Sequence, residues 1–370
     1  MTKCQAIYVD KDAAKTKGER CGKRERTRGL SVDGAMSNCR DVSEVDLHRR
    51  VIAAEIPIID PHHHLWVLPQ HGRYLLEEFQ ADLATGHNVI ATVYVECSAM
   101  YRRSGPQTLR SVGEAEFVSG MAAMSASGLF GPTRICAGFV GAADLGLAES
   151  VDEVLDALDV ASGGRLRGIR GAANWDADPS VNTGTRPFGP PHLLMDSGFR
   201  RGFERLAARG LVYDAWQYHP QLNEVADLAG AFPDAIMVVN HCGGLLGIGP
   251  YARADNFSGW KAAVETIAQR PNILMKLGGL SGKRCGFNFA TGRSAPSAEE
   301  LATAWRPYIE TCIELFGVER CMFESNFPPD RTGGSYDTIW NAFKLIAAAC
   351  SETEKKHLFC ETARRTYRID

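Results

Sequence analysis

Short apolar runs alternate with segments of helical period along most of the chain. The runs are rich in β-branched residues and occur eight times, at 56–59, 89–95, 135–140, 166–169, 211–213, 236–239, 273–275 and 321–323. Apolar residues recur every three or four positions in five intervening segments, at 151–160, 199–208, 222–231, 260–268 and 301–316. Runs of the first kind are typical of strands that are buried on both faces, as in a parallel sheet.

This alternation predicts right-handed βαβ units and a parallel sheet. Eight units in about 320 residues suit a closed (β/α)8 TIM barrel, an α/β fold whose active site lies at the C-terminal ends of the strands. A doubly wound open sheet is the alternative fold. It would carry a glycine-rich phosphate loop after an early strand, and the chain contains neither G-x-G-x-x-G nor G-x-x-x-x-G-K-[ST].

The first 42 residues have a different composition, because 11–28 is rich in lysine and arginine and has few large apolar residues. Such a tract buries too little apolar surface to offset the entropy of ordering. We therefore predict a disordered extension over 1–42 and a single barrel domain over 43–370. Interspersed acidic residues favour a solvated arm over a nucleic-acid-binding or targeting role. From Val45, a short helix-like pattern leads into the first strand.

Composition excludes several classes of protein. With 370 residues, 45% hydrophobic content and a formal net charge of -3, the chain is globular and has no predicted affinity for nucleic acid or membranes. It has neither an apolar run of about 20 residues, which a bilayer-spanning helix needs, nor the pattern of a secretory signal. Its 11 cysteines lack C-x-x-C spacing, which indicates reduced thiols and a cytoplasmic location.

The first predicted strand ends in three consecutive histidines. Residues i and i+2 of a strand point to the same side, so His62 and His64 converge while His63 points away. Two imidazoles supply half of a tetrahedral site for zinc or a similar divalent ion. The alternative is that these polar strand-end residues only form hydrogen bonds with the backbone.

The other strands also end in polar residues, namely Glu96, Arg170, His219, His241, Lys276, Glu324, Ser325 and Asn326. The cations Arg170 and Lys276 predict an anionic substrate, because a guanidinium fits a carboxylate and a lysine could polarise a carbonyl. The alternative is a structural salt bridge with Glu96 or Asp214 inside the barrel mouth.

Two loops are candidates to contact the substrate. Tyr101 and Arg103 follow the second strand and are predicted to close over the ligand. The glycine- and proline-rich loop 171–191 is too long for a simple connection and is predicted to form a lid.

Four motifs together resemble the amidohydrolase-2 branch of the amidohydrolase superfamily, namely DPHHHLW (60–66), YHP (218–220), NHCGG (240–244) and SNFP (325–328). That branch consists of TIM-barrel enzymes and includes lactonases and decarboxylases. The resemblance implies that His62, His64 and His219 bind a divalent metal such as Zn²⁺. It also implies that His241 assists catalysis.

The last motif departs from the family pattern. Metal-dependent relatives carry an aspartate where this chain has Asn326, and that aspartate binds the metal and takes a proton from the attacking water. Asparagine cannot accept this proton, although its amide oxygen can coordinate a cation or orient water. A neutral His241, or Glu96 across the mouth, becomes the candidate base, and the need for a metal stays open.

These observations predict a hydrolase that opens a small carboxylate-bearing lactone by attack of water. One alternative is a metal-dependent decarboxylase of a small unsaturated acid, which would use the same histidines with Arg170 on the carboxylate. Another is a ligand-binding barrel that lost its chemistry with the aspartate. The expected partner is a small anionic substrate, and the sequence leaves the formation of a homo-oligomer open.

Overall fold

A computed structural model describes residues 51–184, 188–252, 256–289 and 295–370 of the chain. The predicted extension over 1–42 and the start of the helix-like segment at Val45 lie outside these residues. Val51 and Ile52, which end that segment, lie in irregular backbone before the first strand.

The described residues form ten strands: β1 (Ile58–His63), β2 (Trp66–Leu68), β3 (Gly72–Tyr74), β4 (Val89–Val95), β5 (Arg134–Gly141), β6 (Leu166–Ala172), β7 (Val212–Trp216), β8 (Met237–Val239), β9 (Ile273–Leu277) and β10 (Cys321–Phe323). Eight of them pair in the order β1-β4-β5-β6-β7-β8-β9-β10, and the neighbours are parallel. The other two, β2 and β3, form an antiparallel hairpin. All eight predicted runs are therefore strands of one parallel sheet.

Contacts between the first and last strands close this sheet into a barrel. His63 forms a parallel bridge with Phe327, and the backbone N–H of His64 donates to the Phe327 carbonyl at 2.8 Å. The backbone N–H of Ser325 donates to the Asp60 carboxylate at 3.1 Å. The predicted (β/α)8 barrel is confirmed.

Helices follow most of the strands, namely α1 (Leu76–Leu83), α2 (Val112–Ala126), α3 (Val151–Ala161), α4 (Ser197–Ala208), α5 (Leu222–Ala231), α6 (Asn256–Ala268), α7 (Ala298–Phe316), α8 (Tyr336–Ile346), α9 (Glu352–Lys356) and α10 (Thr362–Tyr367). The five predicted helical segments lie within α3 to α7. Ser297 and Glu300 cap α7 reciprocally, and the helix ends at Gly317, whose φ of 77° suits glycine. Among the described helices, none is long and apolar enough to cross a membrane.

Apolar side chains from alternate strand positions fill the barrel interior, namely Ile59, Ala91, Val93, Val95, Val140, Val212, Val238, Leu274 and Met322. Side chains two residues further along a strand point the same way. Asp214, Lys276 and Glu324 therefore form a buried polar layer above the apolar one, nearer the C-terminal ends of the strands.

The last residues of the chain cover the N-terminal end of the barrel. Tyr367 and Ile369 pack into the inner apolar core. Arg365 donates to the Glu319 carbonyl at 2.7 Å and Arg368 to the Gly210 carbonyl at 3.0 Å. Glu319 and Gly210 lie just before β10 and β7, so this segment leaves the opposite, C-terminal ends of the strands for a site.

Candidate active site

A single buried carboxylate, that of Glu324, contacts two histidines from other strands. Its Oε1 accepts a hydrogen bond from the backbone N–H of His241 at 3.0 Å and lies 2.7 Å from Nδ1 of the same residue. Its Oε2 lies 2.6 Å from Nδ1 of His62. The ends of β1, β8 and β10 therefore meet at Glu324.

The other ring nitrogen of His62 contacts Arg170. The guanidinium of Arg170 donates from Nη1 to Nε2 of His62 at 3.2 Å and from Nε to Oε1 of Glu96 at 2.8 Å. A guanidinium can only donate, so Nε2 is the acceptor and Nδ1 of His62 carries the proton that faces Glu324. Arg170 thus joins Glu96 to the histidine group.

His241 has an unusual backbone conformation that brings its ring close to β9. Its φ is 58°, and Gly279 lies so close that a Cβ at this glycine would be 2.2 Å from Nδ1 of His241. Gly279 itself has a φ of 64°. Both this backbone conformation and the close approach of His241 require a glycine at this position. Because Nδ1 faces Glu324, Nε2 of His241 keeps its lone pair. The ring also contacts Trp216, with 4.8 Å between the ring centres.

Burial determines the protonation of these residues. It lowers the pKa of His62 well below the usual value, and the nearby cation Lys276 adds to this effect. Burial, with Arg284 as the next cause, likewise lowers the pKa of His241. Both imidazoles are therefore neutral at neutral pH. Burial raises the pKa of Glu324 to about 7, and Lys276 opposes this rise.

His62, His241 and Glu324 form a group that could hold a metal ion. Their candidate ligand atoms all lie within 4.8 Å of one another, and no other such group occurs in the described part of the chain. Two imidazoles and a carboxylate are a common zinc donor set. Although His62 Nδ1 and Glu324 Oε2 are 2.6 Å apart, their geometry leaves both buried atoms without a hydrogen bond. An imidazole nitrogen that has lost its proton and a carboxylate oxygen are both ligand atoms for a cation, so these residues fit a metal that would replace the proton on Nδ1 of His62.

Neither His64 nor His219 belongs to this group. The Nδ1 of His64 bonds to the Val95 carbonyl at 2.7 Å, and its ring centre lies 5.0 Å from that of His62. The Nδ1 of His219 accepts from the backbone N–H of Leu246 at 3.2 Å. Their assignment as metal ligands stays a prediction.

A cavity of about 630 Å³ opens at the C-terminal end of the barrel. Its inner wall includes His64, Arg170 and Trp216. His64 and Arg170 contact His62, and Trp216 contacts His241. The hairpin β2–β3 and residues 182–184, which belong to the predicted lid loop, form part of the outer wall. The metal-binding candidates therefore lie directly behind the inner wall of this cavity.

The cavity wall is cationic. Arg73, Arg170, Arg284 and Arg331 line it, and none of the described residues that line it is an aspartate or a glutamate. A cavity with guanidinium groups and no carboxylate attracts anions.

Lys276 lies inside the barrel and not on the cavity wall. Its side chain is fully buried, and Nζ donates to Oδ2 of Asp214 at 2.6 Å. Its ammonium also lies 5.0 Å from the ring centre of Tyr367. The structure thus shows the ion pair with Asp214 that was the alternative interpretation of Lys276.

The other predicted substrate contacts lie apart from the main cavity. Tyr101 lines a second cavity of about 620 Å³, which shares Arg170 with the first and also includes Glu96. Arg103 is exposed and lines neither cavity. Their role in substrate binding stays a prediction.

Asn326 is held by a neighbouring acid. Its φ is 47°, and its Nδ2 donates to Oδ1 of Asp330 at 2.8 Å. Burial raises the pKa of Asp330 to about 7, and Arg284 opposes this rise. The structure therefore pairs Asn326 with Asp330, and pairs the second candidate base, Glu96, with Arg170.

Three residues of the site, Glu324, Arg284 and Trp216, have no role that the sequence predicts. Strand alternation could have indicated Glu324, because Met322 points into the barrel and Glu324 lies two residues further on. Trp216 could have been selected in the same way, two residues after the inward Asp214. The position of Arg284, which lies in a loop, has no comparable sequence signal.

A family model described as "Amidohydrolase" matches residues 59–369. The chain belongs to the amidohydrolase family. This membership confirms the resemblance that the four sequence motifs carry. It also agrees with a site built at the C-terminal ends of barrel strands.

Two curated proteins are similar to this chain. An uncharacterized protein, y4mH, of Sinorhizobium fredii is 32% identical over 85% of this chain and 100% of its own length. An L-fucono-1,5-lactonase of Burkholderia multivorans is 28% identical over 56% of this chain and 64% of its own length.

A solved structure has the same fold. It is an amidohydrolase from Burkholderia multivorans with bound zinc, and it is 24% identical with a TM-score of 0.62 over 85% of this chain and 99% of that one. At this identity the likeness concerns the barrel alone.

Proposed function

We propose that this protein opens a small carboxylate-bearing lactone by attack of water. The observation that carries the proposal is the contact of Glu324 with His62 and His241 behind an arginine-lined cavity. Family membership and the similarity to an L-fucono-1,5-lactonase support a lactone as the substrate.

His241 is the favoured general base. It is 4% exposed, whereas His62 and Glu324 have no exposed surface, so His241 is the most accessible of the three. Its low pKa keeps the ring neutral, and the proton on Nδ1 faces Glu324, so Nε2 is the nitrogen that can take a proton. Glu96 is the weaker candidate because its carboxylate already pairs with Arg170.

In the proposed reaction, water attacks the lactone carbonyl carbon and gives a proton to His241. Glu324 stabilises the imidazolium that forms. The ring C–O bond then breaks, and the imidazolium returns the proton to the alkoxide that leaves. The product is a hydroxy acid, and its new carboxyl group releases a proton to the solution at neutral pH.

Zinc is the metal we propose for His62, His241 and Glu324, with His64 and His219 as the further ligands that the family resemblance implies. When bound, a divalent ion would polarise the carbonyl and lower the pKa of water. Metal binding and proton transfer by His241 compete for the same ring. Activity measured before and after chelation, together with the metal content of the protein, distinguishes the two roles.

A panel of lactones tests the function. We expect proton release in a pH-stat with at least one acidic lactone and no release of CO₂ from unsaturated acids. Evolution of CO₂ without lactone opening would support the decarboxylase instead. Absence of both reactions would overturn the proposal and favour a ligand-binding barrel.

The His241→Ala variant tests the base. We expect a loss in kcat/KM of about 10²-fold or more. His192→Ala is a matched control, because that side chain is 71% exposed and lies outside the cavity wall. Full activity in His241→Ala would move the role of base to Glu96, which Glu96→Gln would then test.

A cytoplasmic location is part of the same proposal. The eight cysteines in the described residues are free thiols, and six of them are buried. Fractionation of cells that produce the protein tests this location, and recovery from an oxidising compartment would contradict it.

A further inference from the structure

Three of the four arginines on the cavity wall already have acidic partners. Arg73 pairs with Glu77 and Glu78, at 2.7 and 2.5 Å. Two further pairs link Arg170 to Glu96 and Arg331 to Asp82, each at 2.8 Å. The net positive charge that these three groups offer to a ligand is therefore reduced.

Arg284 is the exception. Within the described ranges it forms no ion pair, and its Nε is buried without a hydrogen-bond partner. Asp330 is close enough for the charge of Arg284 to lower its pKa, but the two groups do not form a salt bridge. Arg284 is therefore the arginine on this wall whose charge no carboxylate of the described residues neutralises, which favours an anionic ligand as its partner.

The guanidinium of Arg284 is nevertheless held in place. Its Nη2 donates to the Gly279 carbonyl at 2.6 Å, and its Cζ lies 4.8 Å from the ring centre of Trp216. Stacking on an aromatic face leaves the edge of a guanidinium free to form two parallel hydrogen bonds with a carboxylate. Arg284 is thus oriented before any ligand binds.

Its distance from the candidate base suits a small molecule. The ring of Trp216 contacts both residues, with 4.8 Å from its centre to Cζ of Arg284 and 4.8 Å to the ring centre of His241. Arg284 and His241 are therefore separated by less than about 10 Å. Both residues are therefore within reach of one lactone ring that carries a carboxylate.

We propose that Arg284 binds the carboxylate of the substrate and selects lactone acids over neutral lactones. This inference rests on the proposed function and names the residue that determines its substrate class. The sequence pointed instead to Arg170 and Lys276, which the structure pairs with Glu96 and Asp214.

Two lactones that differ in one group test the selection. They are γ-valerolactone and the analogue in which a carboxylate replaces its methyl group. In Arg284→Gln we expect KM for the acidic lactone to rise about 10- to 100-fold, the effect of losing one charge-assisted contact. Loss of Arg284 also raises the pKa of His241, an effect that both lactones share, so the readout is the ratio of kcat/KM for the acidic lactone to kcat/KM for γ-valerolactone, which we expect to fall about 10- to 100-fold. An equal loss with both lactones would overturn the proposal.

Two further variants serve as controls. Arg284→Lys keeps the charge but loses the planar guanidinium that can form two parallel hydrogen bonds. Its KM should therefore fall between those of the wild type and Arg284→Gln. Arg201→Gln removes an exposed arginine that pairs with Glu149 outside the cavity, and it should behave as the wild type. A KM in Arg284→Lys as high as in Arg284→Gln would show that the planar guanidinium, and not the charge alone, binds the carboxylate. An unchanged KM in both Arg284 variants overturns the proposal.

Calorimetry separates this inference from the proposed function. The acidic lactone's hydroxy-acid product should bind the wild-type protein at least tenfold more tightly than Arg284→Gln. This measurement needs no turnover, so equal binding by both proteins would overturn the role of Arg284 even in an active lactonase. Inorganic phosphate is the competing probe, and tighter binding of phosphate than of the hydroxy acid would overturn the assignment to a carboxylate.

Discussion

The phenol of Tyr367 donates a hydrogen bond to Oδ1 of Asp214 at 2.7 Å, in the interior of the barrel where both side chains are fully buried. The other oxygen of Asp214 accepts from Lys276 at 2.6 Å and from Asn240 at 3.1 Å. Both oxygens of the carboxylate therefore accept hydrogen bonds. It links the segment that covers the N-terminal end of the barrel to the polar layer that contains Glu324.

Removal of this phenol tests the link. Tyr367→Phe should lower the free energy of unfolding by about 1.5–3 kcal/mol, because it deletes a buried hydrogen bond to a charged group. Urea unfolding measures the change. Tyr213→Phe is the matched control, since the buried hydroxyl of Tyr213 has no hydrogen-bond partner among the described residues and its loss should leave stability unchanged or higher. Equal losses in both variants would show that packing, and not the bond to Asp214, is responsible.

Lys276→Met tests the buried ion pair. It leaves the charge of Asp214 in the barrel without its cation, so we expect a loss of about 3–5 kcal/mol in the free energy of unfolding. The double variant Asp214→Asn/Lys276→Met should recover most of this loss, because no unpaired charge remains. Because Lys276 lines neither cavity, KM for an acidic lactone should stay within about twofold of wild type in any folded variant. A large rise in KM with unchanged stability would instead support direct substrate binding.

Asn326→Asp restores the acid of the family motif but places it 2.8 Å from a carboxylate oxygen of Asp330. The pKa of Asp330 is already raised to about 7 by burial, and a second carboxylate would raise it further. A raised pKa favours folding at low pH, and this stabilisation is lost as pH rises through the folded-state value. We therefore expect near-wild-type stability at pH 5 and a clear loss above about pH 7.

Asn326→Gly is the control for this variant, because it removes the hydrogen bond, adds no charge and tolerates the φ of 47°. Its loss of stability should vary with pH less than that of Asn326→Asp, because it removes only the hydrogen bond that lowers the pKa of Asp330 and adds no second carboxylate. Zinc affinity and kcat/KM of Asn326→Asp answer a separate question. Tighter zinc binding with full activity would indicate that asparagine only weakens a metal site, whereas lower kcat/KM for an acidic lactone would indicate repulsion of the substrate.

Glu114 is expected to make stability depend on pH. Burial, and then the charge of Glu96, raise the pKa of Glu114 to about 7. The folded state therefore holds a proton that the unfolded chain loses near pH 4.5. The stabilisation is complete below that pH and disappears as pH rises through about 7, a loss of about 3 kcal/mol at most.

Glu114→Gln should remove this dependence, which urea unfolding between pH 5 and pH 8 would measure. Glutamine keeps an oxygen for Tyr94, Cys97 and Ala99, which all donate to Oε1 of the glutamate. Glu116→Gln is the control, because that side chain is exposed and pairs with Arg102. An unchanged pH profile in Glu114→Gln would show that Glu114 is ionised in the folded protein throughout this range.

The sequence by itself determined the order of the strands and helices and the direction of several side chains. Apolar runs and helical period are local properties, so the eight strands could be located without knowledge of their partners. The period of two also placed His62 inward and His63 outward, where the structure has it stacked on Phe79 and bonded to Thr92. The replacement of the family's aspartate by Asn326 could be recognised because this residue lies in the short motif SNFP at 325–328.

Only the tertiary structure decided which of these residues meet. Contacts between Glu324 and the two histidines, and between Lys276 and Asp214, depend on strand register and on the closure of the barrel. The second of these pairs is separated by 62 residues along the chain. The position of Arg284 over Trp216 depends on the conformation of a loop. No periodic sequence pattern specifies that conformation. The partners of buried charges are therefore a property of three-dimensional packing, because the burial that makes each pairing necessary arises only when distant strands come together.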